Sequence, residues 1–230
     1  MQTTDQTAHD QNTRVRVWDL PLRLFHWALV ACIIGSYVTA NVGGLWMDYH
    51  FQFGYAILTL LVFRLIWGFV GPEHARFSSF LRGPAAIMAY VRARGRMPTA
   101  GHNPLGAVSV IVMLVLLVIQ VGTGLFATDG ILSEGPLARY VSSSTADTLT
   151  AIHQTNRVLL LIIIALHLLA IAWYGVVRRQ PLLRAMITGN KPAAQVPAGT
   201  RPANDSPRTW MQGLVVLLVS VAVAWWIVNF

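Results

Sequence analysis

Charge is missing from long stretches of this chain. No Asp, Glu, Lys or Arg occurs in 24–47, 102–128, 158–177 or 209–230. A fifth stretch, 49–63, is also uncharged, and apolar residues resume after Arg64 to end at Gly71-Pro72. A helix needs about 20 mostly apolar residues to cross the hydrocarbon of a bilayer. The pattern therefore predicts five spanning helices, near 20–40, 50–70, 104–126, 151–177 and 210–229. Composition agrees, with 11% charged residues against the roughly 25% of an average soluble domain. That balance excludes an ordinary soluble enzyme, a disordered chain and a nucleic-acid binder, despite a net charge of +8.

The basic residues account for that charge by their placement. Arg14, Arg16 and Arg23 precede the first span, five arginines lie between the second and third, and five arginines and Lys191 lie between the fourth and fifth. Fourteen of the seventeen thus fall on one face of an alternating topology. The opposite loops hold Arg139 with Asp48, Asp129, Glu134 and Asp147. The positive-inside rule predicts a bacterial inner-membrane protein with a cytoplasmic N-terminus and a periplasmic C-terminus. Anionic lipid is the expected partner of the arginines. The fold class expected is an all-α integral membrane protein: a four-helix bundle with a fifth, appended span. In these terms the chain divides into a polar tail at 1–13, a four-helix domain at 14–180, a linker at 181–209 and a last helix at 210–230. The linker, rich in Pro and Ala, is expected to be a loose tether.

Four histidines, His26, His50, His153 and His167, lie in or at the edge of these apolar segments. An ionisable side chain at membrane depth is costly and points to function. His9, His74 and His102 fall in polar segments and are expected to be solvated. His153 and His167 are fourteen residues apart, so they share one helix face and stand about 21 Å apart along the axis. Depth pairs His50 with His153 on the outer side and His26 with His167 on the inner side. Two bis-histidine pairs stacked across a bundle suit two low-spin haems, because two axial imidazoles fill the iron and favour electron transfer. A zinc site would gather its ligands at one depth. The lone cysteine, Cys32, leaves no disulfide framework and no C-x-x-C-H for a covalently attached haem.

Residues near these histidines fit the same picture. Arg64 follows His50 by fourteen and so shares its face, where a guanidinium suits a haem propionate or an inner headgroup. Arg157, one turn after His153, suits the outer propionates or snorkels. Gly35, Gly54, Gly122 and Gly124 leave room for a flat cofactor or for close helix approach. The tryptophans, Trp18 and Trp67 among them, mostly fit interfacial belts.

The segments 18–27 (WDLPLRLFHW), 50–72 (HFQFGYAILTLLVFRLIWGFVGP) and 153–170 (HQTNRVLLLIIIALHLLA) resemble the prokaryotic cytochrome b561 family, related to the b-type subunits of nickel–iron hydrogenases. The resemblance covers roughly 14–180. It implies two haem b groups, with the family's histidine positions on His26, His50, His153 and His167. It also implies electron transfer between quinone or quinol and a partner at the outer face. That partner would be a periplasmic c-type cytochrome or another redox subunit, and a homodimer would be ordinary. The linker and fifth helix depart from the shortest members of the family.

The leading expectation is therefore an electron-transfer protein. A second is a quinone-linked oxidoreductase, specifically a superoxide oxidase, which would need a positively biased funnel at the outer haem. A third is a transporter or proton conductor with histidine relays, for which the inverted repeats and broken helices of transporters are missing.

Overall fold

A computed structural model describes residues 14–230. The expected polar tail, 1–13, and His9 within it lie outside the described residues. In chain order the elements are β1 (Arg14–Arg16), α1 (Leu20–Val42), α2 (Met47–Val70), α3 (Phe77–Phe80), α4 (Pro84–Arg92), α5 (Pro104–Gly124), α6 (Ser143–Val176), α7 (Leu182–Thr188), β2 (Asn190–Pro192) and α8 (Pro207–Asn229). Helices α1, α2, α5, α6 and α8 are long and apolar enough to cross a membrane. Their outward side chains are apolar as well: Leu169 and Trp225 are each about two-thirds exposed. A helix apolar on all sides belongs in lipid rather than water. The chain is an all-α, multi-pass membrane protein.

Helix α6 starts eight residues before the expected 151. Its first turns are polar, and Ser142 caps them by accepting a hydrogen bond from Thr145 N–H through its hydroxyl, at 3.2 Å. The 34 residues of α6 span about 51 Å. The hydrocarbon is about 30 Å thick, so part of the helix stands outside it.

The chain divides into two compact units. Among the described residues, the first comprises 14–23, 67–110 and 167–213. Here β1 pairs antiparallel with β2, Val15 opposite Lys191. Asp19 caps α1 by accepting from Leu22 N–H at 2.9 Å, and its carboxylate also takes the Trp67 indole N–H at 3.1 Å. Trp67, Trp18 and Asp19 are buried. Burial pushes the Asp19 carboxyl above its usual range. The two tryptophans are thus core residues here rather than interfacial ones.

The segment expected to be a loose tether is instead tied down within this unit. Asp205 accepts from Arg16 at 2.6 Å, Leu20 N–H at 2.8 Å and the Trp210 indole at 2.7 Å. Ala203 N–H donates to Arg16 O, and Lys191 donates to Thr99 O and Gly101 O. His74 is buried and donates through Nε2 to Arg201 O at 3.0 Å. His102 lies between the rings of Trp18 and Phe80, at 4.7 and 4.8 Å. Neither is the solvated residue that its polar sequence context predicts, because the 190–205 segment and the aromatic core enclose them.

The second unit comprises 24–66, 111–166 and 214–230. Gly43 and Gly44, with φ of 70° and 57°, make the sharp turn from α1 into α2. That backbone is left-handed and favours glycine. Between α5 and α6 the chain folds back on itself, with Leu137 N–H donating to Leu125 O and Gly135 N–H to Ala127 O. Asp129 organises the tip, one carboxylate oxygen accepting from the N–H groups of Ile131, Leu132 and Ser133 at 2.9 Å each. Those donors hold its carboxyl down to about 2. Tyr140 donates to Phe230 O at 2.8 Å, anchoring the end of α8.

Candidate functional site

His50 opens α2 and His153 lies on α6, both in the second unit. Their ring centroids are 6.3 Å apart and the ring planes stand nearly perpendicular, at 86°. Each ring is fixed from behind by a helix carbonyl. His50 Nδ1 meets Ser36 O at 2.9 Å, and His153 Nδ1 meets Gln120 O at 2.8 Å. A carbonyl oxygen only accepts, so both Nδ1 atoms carry the proton. The lone pair of each imidazole therefore sits on Nε2. Histidines that bind metals are commonly oriented in this way.

A cavity opens beside the pair, lined among others by Ser36, His50, Gly54, Gln120, Gly124 and His153. The glycines there divide by role. A Cβ on Gly124 would come within 2.9 Å of the His153 ring, so Gly124 is what lets the imidazole lie against α5. A Cβ on Gly54 would meet nothing within 4 Å, leaving an open wall. A Cβ on Gly122 would likewise meet nothing within 4 Å, but that residue does not line the cavity. At Gly35 a Cβ would collide with the Phe53 ring, so that glycine serves helix packing.

Three polar residues inside the spans complete the surroundings, and the histidine pattern alone does not point to them. Gln120 places its side-chain nitrogen 3.0 Å from His153 Nε2. Asn156 donates to Gln120 Oε1 at 2.7 Å and so orients that amide. Thr123 Oγ1 lies 3.4 Å from His153 Nδ1. Glutamine and asparagine in otherwise apolar helices were the available signal.

The two imidazoles, with ring centroids 6.3 Å apart and lone pairs on Nε2, would suit a b-type haem iron. One side chain must move, because the Gln120 amide covers the His153 lone pair that iron would take. The cavity of about 210 Å³ is also below the roughly 300–1,000 Å³ of most ligand sites.

The remaining expected site residues are placed as follows. His26 is half-buried in the second unit, its ring edge-on to Trp27 at 5.0 Å. Arg64, in the same unit, is almost fully buried. Arg157 is exposed on α6. His167 is half-buried in the first unit.

A model of the prokaryotic cytochrome b561 family matches residues 17–189. The chain belongs to the prokaryotic cytochrome b561 family. It is accordingly a b-type cytochrome for electron transfer in a membrane, and its cofactor is b-type haem. No curated protein and no solved structure matches the chain. The match begins at the Val17–Trp18–Asp19 stretch that caps α1, and it includes all four intramembrane histidines. It ends at Gly189, so β2, the strap through Asp205 and helix α8 lie outside the part shared with the family. Membership replaces the transporter alternative with a redox role.

Proposed function

We propose that this cytochrome carries two haem b groups and passes electrons between membrane quinone or quinol and a redox partner at the His50/His153 end. The observation that carries the proposal is the pair of imidazoles 6.3 Å apart, each with Nδ1 held by a helix carbonyl. His50 and His153 would hold one haem. His26 and His167 would hold the other, a pairing that rests on helix depth in the sequence. Arg64 would accept the inner propionates and Arg157 the outer ones, each as a charge-assisted donor. Bound haem would supply a one-electron redox centre. The chain's own residues hold the rings rigid, so electron transfer needs little rearrangement of ligands. The distribution of basic loops supports a periplasmic position for this end in the inner membrane and a cytoplasmic N-terminus.

Asp129 bears on the choice of partner. It lines the same cavity, and its carboxylate stays ionised down to about pH 2. A fixed negative charge at the mouth repels superoxide and suits a protein partner with a basic rim around its redox centre. The oxidase alternative is the weaker one on this ground.

The test is a haem count by pyridine haemochrome on detergent-purified protein, together with its reduced-minus-oxidised spectrum. About two b haems per chain are expected. One haem, from protein produced with haem in excess, would sink the two-pair arrangement. Reduction of the purified protein by quinol tests the donor separately.

A further inference from the structure

A second cavity lies wholly in the first unit, at the start of α5 and the end of α6, and the haem proposal makes no use of it. It is lined by Tyr90, Arg94, Leu105, Trp173, Tyr174 and Arg178, with Gly95 and Val91. Leu105 is the second residue of α5, and Arg178 follows the end of α6 by two. The cavity therefore sits where two spans leave the hydrocarbon on the same side. Its volume is about 390 Å³, within the roughly 300–1,000 Å³ of small-ligand sites.

Its chemistry is that of an anion receptor. Tyr90 Oη and Tyr174 Oη are 3.1 Å apart. One hydroxyl donates to the other, so one O–H of the pair is left to donate into the cavity. Tyr90 itself is buried, at 2% exposure. Burial and the neighbouring hydroxyl push its phenol well above the ordinary value, so it stays a neutral donor beside an anion. Arg178 donates one N–H to Arg94 O at 2.8 Å and keeps others for a ligand. Neither Arg94 nor Arg178 has a carboxylate partner among the described residues. No acidic residue lines the cavity.

The backbone is shaped to the same end. Arg94 and Gly95 are both left-handed, with φ of 51° and 68°. For an arginine that backbone is uncommon, and such residues gather at ligand clamps. At Gly95 a Cβ would approach the two hydroxyls to 3.4 and 3.5 Å, so a glycine keeps that approach open. Beside the polar centre, Leu105 and Trp173 present about half of their surface outward at the edge of the spans.

The geometry points to a site for a phosphate-bearing anion, with the guanidinium groups of Arg94 and Arg178 and the Tyr90/Tyr174 hydroxyls as its donors. Guanidinium matches phosphate in charge and in paired donor geometry. Basic pockets between spanning helices suit anionic headgroups, and the outward Leu105 and Trp173 offer a path for an acyl chain. The phosphate would then belong to a phospholipid, while free phosphate shares the same donors.

The test is native mass spectrometry of the haem-loaded, full-length protein. The probes are phosphatidylglycerol, phosphatidylcholine with the same acyl chains, and inorganic phosphate. Preferential retention of phosphatidylglycerol, weakened about tenfold in the Arg94→Gln/Arg178→Gln variant, is the expected result. Phosphate that binds with the same arginine dependence, without any lipid preference, assigns the site to free phosphate. Retention of phosphatidylglycerol and phosphate unaltered by the double substitution overturns the proposal. Haem spectra confirm that the variants are folded. Arg94→Gln alone alters an exposed side chain whose backbone carbonyl still serves Arg178, so it keeps the test decisive if the double variant misfolds. Tyr90→Phe/Tyr174→Phe removes both hydroxyls, and with them the O–H left for the ligand, at constant shape, and a several-fold weaker retention is expected.

Discussion

The two units of this cytochrome differ in what surrounds their anchored polar side chains. In the first, Asp19, His74 and Lys191 each end on a protein partner: an indole and an amide, a carbonyl, and two carbonyls. In the second, His50 and His153 are anchored through one ring nitrogen while the other faces a cavity or a displaceable amide. Burial alone does not separate a structural polar residue from a functional one. What separates them is whether the side chain, once anchored, lines a cavity. A closed network contributes stability, whereas an anchored ring with its lone pair kept in reserve is built to receive something.

That contrast is open to breaking. Substitution of the imidazoles gives the largest expected effect. His153→Ala is expected to remove the outer haem and to leave about one haem per chain, while His167→Ala removes the inner one. The two variants should retain different spectra and potentials. Identical loss of both haems in each would mean that the histidines act through folding. A smaller effect is expected at the glycine under the ring. Gly124→Ala must shift His153 by several tenths of an ångström and is expected to weaken haem retention about tenfold. Gly122→Ala, outside the cavity lining and with nothing within 4 Å, serves as its control and is expected to leave retention within about twofold. Titration of apoprotein with haem reads both.

The first unit should respond in the reverse sense. Asp205→Ala deprives Arg16, Leu20 N–H and the Trp210 indole of one acceptor group. Its expected cost is about 2 kcal/mol, or roughly 4–8 °C in thermal midpoint, with the haem spectrum unchanged. A spectral change there would blur the division between the units. The smallest effect is a pH dependence at Lys191. Burial depresses its ammonium from 10.5 to about 8. Between those values the unfolded chain holds a proton that the folded chain has released, so stability rises with pH across the window. Below about pH 8 both states are protonated and the folded state bears the burial cost. From pH 7.5 to 8.5 the thermal midpoint is expected to rise by roughly 1–3 °C relative to Lys191→Met.

Much of this architecture is legible in the chain before any coordinates. Spanning helices announce themselves because no charge is tolerated in hydrocarbon, and all five fall where the uncharged stretches are. Their ends are harder to read. Helix α6 runs back to Ser143 through a polar turn that lies outside the apolar window, and only the cap at Ser142 marks its beginning. The four intramembrane histidines stand out for the same reason as the spans, as exceptions to an apolar rule. Gln120 is such an exception too, but its importance lies in which ring it meets, and that is a tertiary fact. The segment before α8 misleads most. Its Pro, Ala and Gly content describes a chain without local structure, whereas its order comes from residues far away: Arg16, His74 and Thr99. Composition records local preference and is blind to such partners.

The strap at Asp205 has a bearing on how the molecule is made. Its carboxylate reaches back to Arg16 and Leu20, across sequence separations of 189 and 185 residues. At a synthesis rate of about 5–20 residues per second, the N-terminal strand waits roughly 10–40 s for its partner to leave the ribosome. The segments carrying His50 and His153 are translated before that partner exists. The segments of both histidines are thus made before the cap of α1 can be sealed by Asp205. Asp205 therefore acts as a late fastener, one that ties residues 16–20 to the segment before α8.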